Sequence, residues 1–247
     1  MTRSILILCT SATGPLGDTG PTGAWAEEIA APFYEWRSAG FKVKITSVAG
    51  GEVPWDEAST RGEFLTSAAE GFLRDEKLAA LWRATPSAKE VLAAGVEQYD
   101  ALYLPGGHGA MLDFVDSDEV KALVEAFWSS GRVVAAVCHG PAGLVNAVDA
   151  EGAPIVKGRR ATGFTNSEEK AVGKDEAVPF MLETRLVELG ALVQVRDDWQ
   201  PHVVIDGQLI TGQNPQSSFA LAQAVAGALA PHAQVCDAQG DSYKAAD

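Results

Sequence analysis

Short apolar runs typical of β-strands alternate along the chain with segments of helical hydrophobic period. Short runs of aliphatic and β-branched residues recur, and several are apolar throughout, as in parallel strands that are covered on both faces. The runs that predict strands are Ser4–Cys9, Lys42–Val48, Ala101–Leu104, Val133–Val137, Arg160–Phe164, Leu192–Arg196, Val203–Asp206 and Gln208–Thr211.

Segments of helical period separate these runs. Trp25, Ile29, Phe33 and Trp36 recur at steps of four, four and three, which places them on one face of a helix. A further helix is predicted to begin at Asn214-Pro215, a helix-capping residue followed by a first-turn proline. Strands that alternate with helices in this way predict an α/β fold, a doubly wound and mostly parallel flavodoxin-like sheet sandwiched by helices.

One long segment interrupts the alternation. Residues 61–95 show helical periodicity and no strand pattern, so we interpret them as a helical cap insertion over the edge of the sheet. No linker rich in Pro, Gly or Ser divides the chain. We therefore predict a single domain over residues 1–231, including the cap, followed by a C-terminal tail over residues 232–247.

Composition and charge indicate which classes of protein and partner fit this chain. Hydrophobic residues make up 47% and charged residues 21%, which is typical of a soluble globular chain. The net charge of −14 and the absence of a Lys/Arg cluster argue against nucleic acid and membrane partners. The N-terminal apolar block Ile5–Leu8 is too short for the core of a signal peptide, so a cytoplasmic location is expected.

The most informative chemical signal is a cysteine at the end of an apolar run. Val133–Val137 leads directly into Cys138-His139-Gly140-Pro141, and the segment that follows reads as a helix. This is the strand–turn–helix pattern of a nucleophile elbow, which projects its side chain at the carboxyl edge of the sheet. The start of the following helix is expected to favour the thiolate of Cys138.

A second strand ends in a glycine turn, Pro105-Gly106-Gly107-His108-Gly109. Glycines allow backbone N–H groups to converge on a ligand. We predict an oxyanion-hole or substrate-binding site at Gly106, Gly107, His108 and His139, in which the N–H groups of Gly107 and His139 face the oxyanion. His108 either lines the pocket or is simply a polar turn residue.

These segments resemble the ThiJ/PfpI superfamily, with its class I glutamine amidotransferase-like fold, and within it the heat-shock-chaperone and glyoxalase III branch. The resemblance extends to about Ala230. It rests on six ordered blocks, Trp25–Pro32, Gly50–Asp56, Pro105–Gly109, Ala136–Pro141, Thr162–Glu169 and Thr211–Pro215.

The resemblance implies four catalytic roles. Cys138 is the expected nucleophile and His139 its base and acid partner. In the family pattern a glutamate four residues before the helix proline hydrogen-bonds the thiol, and Glu28 has that spacing from Pro32. Pro32 cannot donate to the Glu28 carbonyl, so the helix is expected to kink there. A carboxylate after Phe164 should orient His139, and counting from Phe164 favours Glu169 over Glu168.

The resemblance also implies a reaction that needs no cofactor. A cysteine of this kind adds to a 2-oxoaldehyde such as methylglyoxal, and the internal redox reaction releases a 2-hydroxy acid, D-lactate on the family's precedent. Some relatives carry a His/Glu metal site in the inserted region. Residues 61–95 contain no histidine, so no metal is expected there. A homodimer is the family expectation.

Two alternatives remain open at this point. The first is a stress-response holdase chaperone, which would bind clients through exposed apolar surface and would not need Cys138. The second is a cysteine-dependent peptidase or deglycase. A glutamine amidotransferase is disfavoured, because no His-x-Glu pair follows Cys138; the residue two positions after His202, for example, is Val204.

Overall fold

The computed structural model describes residues 2–17 and 20–230, and in these ranges one six-stranded sheet forms the centre of the molecule. The strands stand in the order β2-β1-β3-β4-β8-β7, all parallel except for the antiparallel pair β7 and β8. Their bounds are β1 Ser4–Cys9, β2 Lys42–Ser47, β3 Ala101–Leu104, β4 Val133–Val137, β7 Val203–Asp206 and β8 Leu209–Gly212.

The helices cover both faces of this sheet, as predicted. Their bounds are α1 Ala26–Ser38, α2 Ser67–Arg74, α3 Glu76–Arg83, α4 Ala88–Ala94, α5 Ala110–Asp113, α6 Asp118–Ser129, α7 Asn166–Ala171, α8 Leu182–Glu188 and α9 Ser218–Leu229. Shorter 3-10 helices occupy Glu57–Thr60, Gly62–Phe64, Gly140–Leu144 and Pro215–Ser217. None of the helices in the described ranges has the length and apolar character that crossing a bilayer requires.

The alternation of side chains along each strand divides the apolar core into two layers. Ile5, Ile7, Tyr103 and Val137 face the layer that includes α1 and α9, which also contact each other. Leu6, Leu8, Leu102 and Leu104 face the opposite layer with α6. Because both faces are buried, the central strands are apolar throughout, which is the pattern that predicted them.

The predicted cap region contains three α-helices. Helix α2 packs against α1, whereas α3 and α4 contact β2, the outermost strand on that side of the sheet. Edge strands expose unpaired backbone groups, so helices beside such a strand protect it from pairing with other chains. The predicted tail at residues 232–247, including Cys236, lies outside the described residues.

Two predicted strands are much shorter than expected. Strand β5 covers only Arg160–Ala161 and β6 only Leu192–Val193, and they pair with each other rather than with the main sheet. The chain leaves β5 because the next amides find other acceptors: Thr162 N–H donates to Thr211 Oγ1, and Phe164 N–H donates to the Cys138 carbonyl. The segment after β5 therefore supports the turn at Cys138 instead of extending a sheet.

Candidate active site

Cys138 lies immediately after β4 in a strained turn. Its φ of 57° is in the left-handed region, which is uncommon for a residue with a side chain. Hydrogen bonds hold its backbone from both sides, with Cys138 N–H donating to the Gly212 carbonyl at 3.0 Å and Phe164 N–H donating to the Cys138 carbonyl at 2.8 Å. This geometry is the predicted nucleophile elbow.

The glycines beside the turn are required by close backbone packing. A Cβ added to Gly140 would lie 2.0 Å from the carbonyl oxygen of Leu104, and one added to Gly106 would lie 2.5 Å from the amide nitrogen of His139. Real Cβ atoms do not approach backbone so closely. The Cys138 turn and the glycine turn after β3 can therefore meet only because neither position carries a side chain.

His139 connects the thiol to a carboxylate. Its Nδ1 lies 3.3 Å from Cys138 Sγ, and its Nε2 lies 2.7 Å from Glu169 Oε2. An ionised carboxylate only accepts hydrogen bonds, so the ring proton is assigned to Nε2. The Nδ1 lone pair is then available to take the thiol proton. His139 contacts Glu169, which the sequence analysis favoured over Glu168, and the role of that contact stays a prediction.

His108 forms a second contact with the same carboxylate. Its Nε2 lies 2.6 Å from Glu169 Oε1, and the two imidazole rings are 4.0 Å apart. Lys174 Nζ lies 3.4 Å from His108 Nδ1 and 4.0 Å from Asp56 Oδ2. His108 therefore lines the site, and Lys174 extends the network; no local motif in the sequence marked Lys174.

The pKa values of this network assign its charges. Burial alone would raise the pKa of Glu169, but the neighbouring His139 and the hydrogen bonds from both histidines hold it well below its usual value. Burial, with His139 beside it, lowers the pKa of His108 to about 3. Near neutral pH, Glu169 is therefore anionic and His108 is neutral.

Glu28 approaches the thiol from α1. Its Oε2 accepts a hydrogen bond from Gly106 N–H at 2.6 Å, and its carboxyl also interacts with the Cys138 thiol. Within the described residues its Oε1 has no hydrogen-bond partner, although the side chain is fully buried. The structure therefore brings Glu28 to the thiol, and the catalytic role that the family resemblance implied for it stays a prediction.

Pro32 leaves the backbone carbonyl of Glu28 without its normal helical donor. The hydroxyl group of Tyr103, on β3, takes that place and donates to the Glu28 carbonyl at 2.7 Å. Tyr103 is fully buried, with its ring 5.1 Å from that of Trp36. The sequence analysis identified the vacant carbonyl but missed the tyrosine that fills it.

Burial raises the pKa of both Glu28 and Cys138. It raises the pKa of Glu28 to about 8, against the hydrogen bonds from Gly106 and Cys138, so the carboxyl is protonated near neutral pH. Because Oε2 already accepts the Gly106 N–H, the proton belongs on Oε1. Burial also raises the pKa of the Cys138 thiol. Ionised Glu28 raises this pKa further, whereas the hydrogen bond from Gly107 N–H lowers it.

One detail of the predicted site is wrong: the 3-10 helix after Cys138 has only five residues, and the thiol pKa is raised by burial rather than lowered. Gly106, which the sequence analysis grouped with the oxyanion-hole and substrate-binding residues, donates its N–H to Glu28. Gly107, at a φ of 86°, directs its N–H at the thiol, and its pairing with the His139 N–H stays a prediction.

Glu168, the alternative to Glu169, has a different environment. Its fully buried carboxylate accepts hydrogen bonds from five groups: Thr165 N–H, Thr165 Oγ1, Trp199 N–H, Gln213 Nε2 and Asn214 Nδ2. It forms a capping box with Thr165 at the start of α7. Glu168 therefore holds loops together, whereas the adjacent Glu169 contacts His139.

The nucleophile opens into a cavity of about 880 Å³. Cys138, His139 and His108 contribute to its lining. Its aromatic lining residues are Trp25, Phe64, Phe164, Trp199 and Phe219, and its charged lining residues include Glu27, Asp56, Glu63 and Lys174. Cys138 therefore borders a space large enough to hold a small molecule.

His108, His139 and Glu169 also form a potential cation-binding group, because their ligand atoms lie within 4.8 Å of one another. Both Nε2 atoms are already joined to the carboxylate oxygens by short hydrogen bonds. Binding a cation at these atoms would break the bonds that orient His139. The hydrogen bonds among the three side chains therefore compete with cation binding at these atoms.

Comparisons with known proteins identify the family of this chain. A model of the DJ-1/PfpI family matches residues 22–228. The glutathione-independent glyoxalase HSP31 of Saccharomyces cerevisiae is 31% identical, over 83% of this chain and 88% of that protein.

Two solved structures are similar in fold. The crystal structure of glyoxalase III from Candida albicans is 27% identical with a TM-score of 0.83, covering 92% of this chain and 97% of that one. The Rapid Encystment Protein 24 kDa of Francisella tularensis is 35% identical with a TM-score of 0.87, covering 93% and 100%.

Proposed function

The chain belongs to the DJ-1/PfpI family, and from that membership and the geometry around Cys138 we propose that it is a glutathione-independent glyoxalase. One observation carries the proposal: the Cys138 thiol contacts a basic ring nitrogen of His139 and a protonated Glu28 carboxyl. A thiol between a base and an acid, at the edge of an open cavity, is suited to covalent addition to a carbonyl. The proposed substrate is a 2-oxoaldehyde, with methylglyoxal as the simplest case.

The first step forms a thiohemiacetal. His139 Nδ1 takes the thiol proton, and Sγ attacks the aldehyde carbon C1, so the carbonyl electron pair moves to oxygen and is protonated there. The resulting imidazolium is stabilised by anionic Glu169, which keeps its own charge. The N–H groups of Gly107 and His139 are the proposed donors to the developing oxyanion.

The second step moves a proton along the substrate. Removal of the C1 proton and protonation of the C2 oxygen give an enediol, and protonation at C2 with loss of the C1 hydroxyl proton gives a thioester on Cys138. Glu28 and His139 are the groups positioned for these transfers. The pKa of about 8 for Glu28 suits a group that gives and regains a proton near neutral pH.

Hydrolysis completes the cycle. Water adds to the thioester carbonyl, the C–S bond breaks, and the 2-hydroxy acid leaves while the thiol regains its proton. The aldehyde carbon is oxidised and the ketone carbon is reduced within one molecule, so the redox change balances without glutathione, metal or nucleotide. For methylglyoxal the proposed product is D-lactate.

The test follows both sides of this reaction in the absence of glutathione. Wild-type protein should consume methylglyoxal and release an equal amount of D-lactate, measured with an enantiomer-specific assay. Cys138→Ala should abolish both changes, and a folded, reduced wild-type protein that produces no lactate would contradict the proposal. Methylglyoxal loss without lactate would indicate simple protein modification.

Three predictions from the sequence accompany the proposal and await their own measurements. The homodimer is tested by light scattering on a size-exclusion column, and the cytoplasmic location by cell fractionation. The holdase alternative is tested by suppression of client aggregation by Cys138→Ala, which should persist if chaperone action is independent of the thiol.

A further inference from the structure

The backbone of Trp199 is unusual in the same way as that of the nucleophile. Within the described ranges, Cys138 and Trp199 are the non-glycine residues with positive φ, at 57° and 62°. A bulky residue in the left-handed region is strained, and such strain concentrates at functional sites. The strained turn at Cys138 presents the thiol to the cavity, and the strained backbone of Trp199 points to a function there as well.

A dedicated anchor holds Trp199 in this conformation. Its N–H donates to Glu168 Oε1 at 2.9 Å, and the same carboxylate oxygen accepts from Gln213 and Asn214. The neighbouring Asp198 accepts a hydrogen bond of 2.6 Å from Ser167 at the start of α7. The loop is therefore fixed to the helix that also carries Glu169, one residue after Glu168.

A row of rings joins Trp199 to the catalytic base. The ring of Phe164 lies 4.4 Å from that of His139 and 5.8 Å from that of Trp199. Phe164 is buried, whereas Trp199 is 37% exposed and lines the cavity. The row therefore runs from the reacting atoms outward to an aromatic surface that is open to a ligand.

The cavity is larger than methylglyoxal requires. A volume of about 880 Å³ lies in the range of roughly 300–1,000 Å³ that accommodates drug-sized ligands, and a three-carbon substrate would leave most of it unfilled. Acidic side chains at Glu27, Asp56 and Glu63 outnumber Lys174 among the charged lining residues, which disfavours an anionic substituent. The lining thus suits a neutral aromatic group.

We propose that Trp199 is a specificity-determining residue, and that the site prefers 2-oxoaldehydes whose second substituent is a neutral aromatic ring. The inference rests on the proposed glyoxalase function. Thiohemiacetal formation at Cys138 holds C1 of the substrate, and the substituent on C2 extends toward the ring row. There it packs against Trp199, which is presented rigidly because Glu168 fixes its backbone.

The experiment compares kcat/KM for phenylglyoxal and methylglyoxal. Wild-type protein should favour phenylglyoxal, and Trp199→Ala should lower the phenylglyoxal-to-methylglyoxal ratio by about tenfold, since one aromatic wall is lost. Trp199→Phe should retain most of the preference. Trp128→Ala is the matched control, because Trp128 is a partly exposed tryptophan outside the cavity lining.

A second readout does not depend on turnover. Phenacyl bromide and bromoacetone both alkylate a thiol, with an S–C bond formed, bromide expelled and the thiol proton released. The phenacyl-to-acetonyl rate ratio at Cys138, measured by mass spectrometry and normalised to N-acetylcysteine, should exceed one and fall in Trp199→Ala. This measurement separates the specificity inference from the glyoxalase proposal, since it remains valid if no 2-oxoaldehyde is turned over.

Two results would overturn the inference. One is an equal loss for both substrates and both alkylating agents in Trp199→Ala, which would indicate a structural role. The other is a change in oligomeric state of Trp199→Ala on a calibrated column, with the aromatic preference intact, which would place Trp199 at a contact between copies of the chain.

Discussion

Among the described residues, two strand ends carry a buried thiol beside a carboxyl group, and they differ in what surrounds the sulfur. Cys9 ends β1 and Cys138 follows β4, with β3 between them in the sheet. Both thiols have a pKa raised by burial first and by a neighbouring acid second, Asp113 at Cys9 and Glu28 at Cys138.

The difference lies in what surrounds each thiol. Cys9 is 0% exposed within a regular strand and does not line the cavity. Cys138 sits in a left-handed turn, with a basic nitrogen 3.3 Å away and the cavity in front of it. A buried thiol and a carboxyl group are therefore insufficient; a base and access for the substrate distinguish the site.

The same substitution at both strand ends gives the largest expected contrast. Cys138→Ala should lower kcat/KM for methylglyoxal by at least about a thousandfold, because the covalent route is lost. Cys9→Ala should mainly lower the melting temperature through the small cavity it leaves, and its activity per folded molecule should remain near wild type. A comparable loss of activity in both variants would show that the contrast between the two strand ends is false.

The adjacent residues Glu168 and Glu169 offer a second comparison, between a structural and a proposed catalytic carboxylate. Glu169→Gln should lower kcat by roughly a hundredfold to a thousandfold, since the amide orients His139 less well and no longer stabilises its imidazolium. Glu168→Gln should instead lower the free energy of unfolding by about 1–3 kcal/mol, because an amide nitrogen would face buried donors. Steady-state kinetics and chemical denaturation of both variants separate the loss of activity from the loss of stability. If Glu168→Gln lost activity and Glu169→Gln lost mainly stability, the proposed roles of the two glutamates would be reversed.

Glu28 should make the free energy of unfolding depend on pH. The folded-state pKa of about 8 lies above the ordinary value of 4.5, so the folded protein holds a proton that the unfolded chain releases. Wild-type stability should therefore fall as pH rises through this window, by up to about 3–5 kcal/mol relative to Glu28→Gln. Urea unfolding at pH 5, 7 and 9 measures the difference, which should grow with pH.

Activity should change with the same group. Glu28→Gln should lower kcat by about tenfold to a hundredfold, because an amide cannot shuttle protons. The wild-type rate should decline above about pH 8 as Glu28 ionises beside the thiol. If Glu28→Gln kept the wild-type rate, the assignment of Glu28 to proton transfer would be incorrect. Glu35→Gln on the same helix is the control.

The smallest expected effect concerns the strand between the two thiols. Tyr103→Phe removes the hydroxyl that donates to the Glu28 carbonyl and should lower the free energy of unfolding by about 1–3 kcal/mol. A kcat loss of only severalfold is expected, because the Glu28 side chain keeps its bond from Gly106. Tyr99→Phe serves as the control, and equal destabilisation in both would leave Tyr103 without a specific role.

How far the sequence predicts this molecule depends on the distance between contacts along the chain. The central strands, Cys138 and His139 could be predicted because a local apolar run and a short motif define them. The spacing of Glu28 and Pro32 identified an unsatisfied carbonyl for the same reason. The family resemblance added the choice of Glu169.

The rest depends on long-range geometry. The bond between His108 and Glu169 joins positions 61 residues apart, and Tyr103 reaches a carbonyl 75 residues away. No periodicity encodes such pairs. The thiol pKa was wrongly expected to be lowered because burial, which raises it, depends on the assembled core rather than on the motif. Trp199 carried no sequence signal, since its conformation depends on the folded position of Glu168.

The left-handed turn at Cys138 also constrains how this chain can evolve. A glycine there would relieve backbone strain worth about 1–3 kcal/mol, so selection for stability alone favours loss of the nucleophile. β-branched residues are poorly tolerated at such a φ, which closes the path through threonine or valine. Few residue types therefore fit this turn, and substitution at position 138 should be confined to those that tolerate the left-handed region.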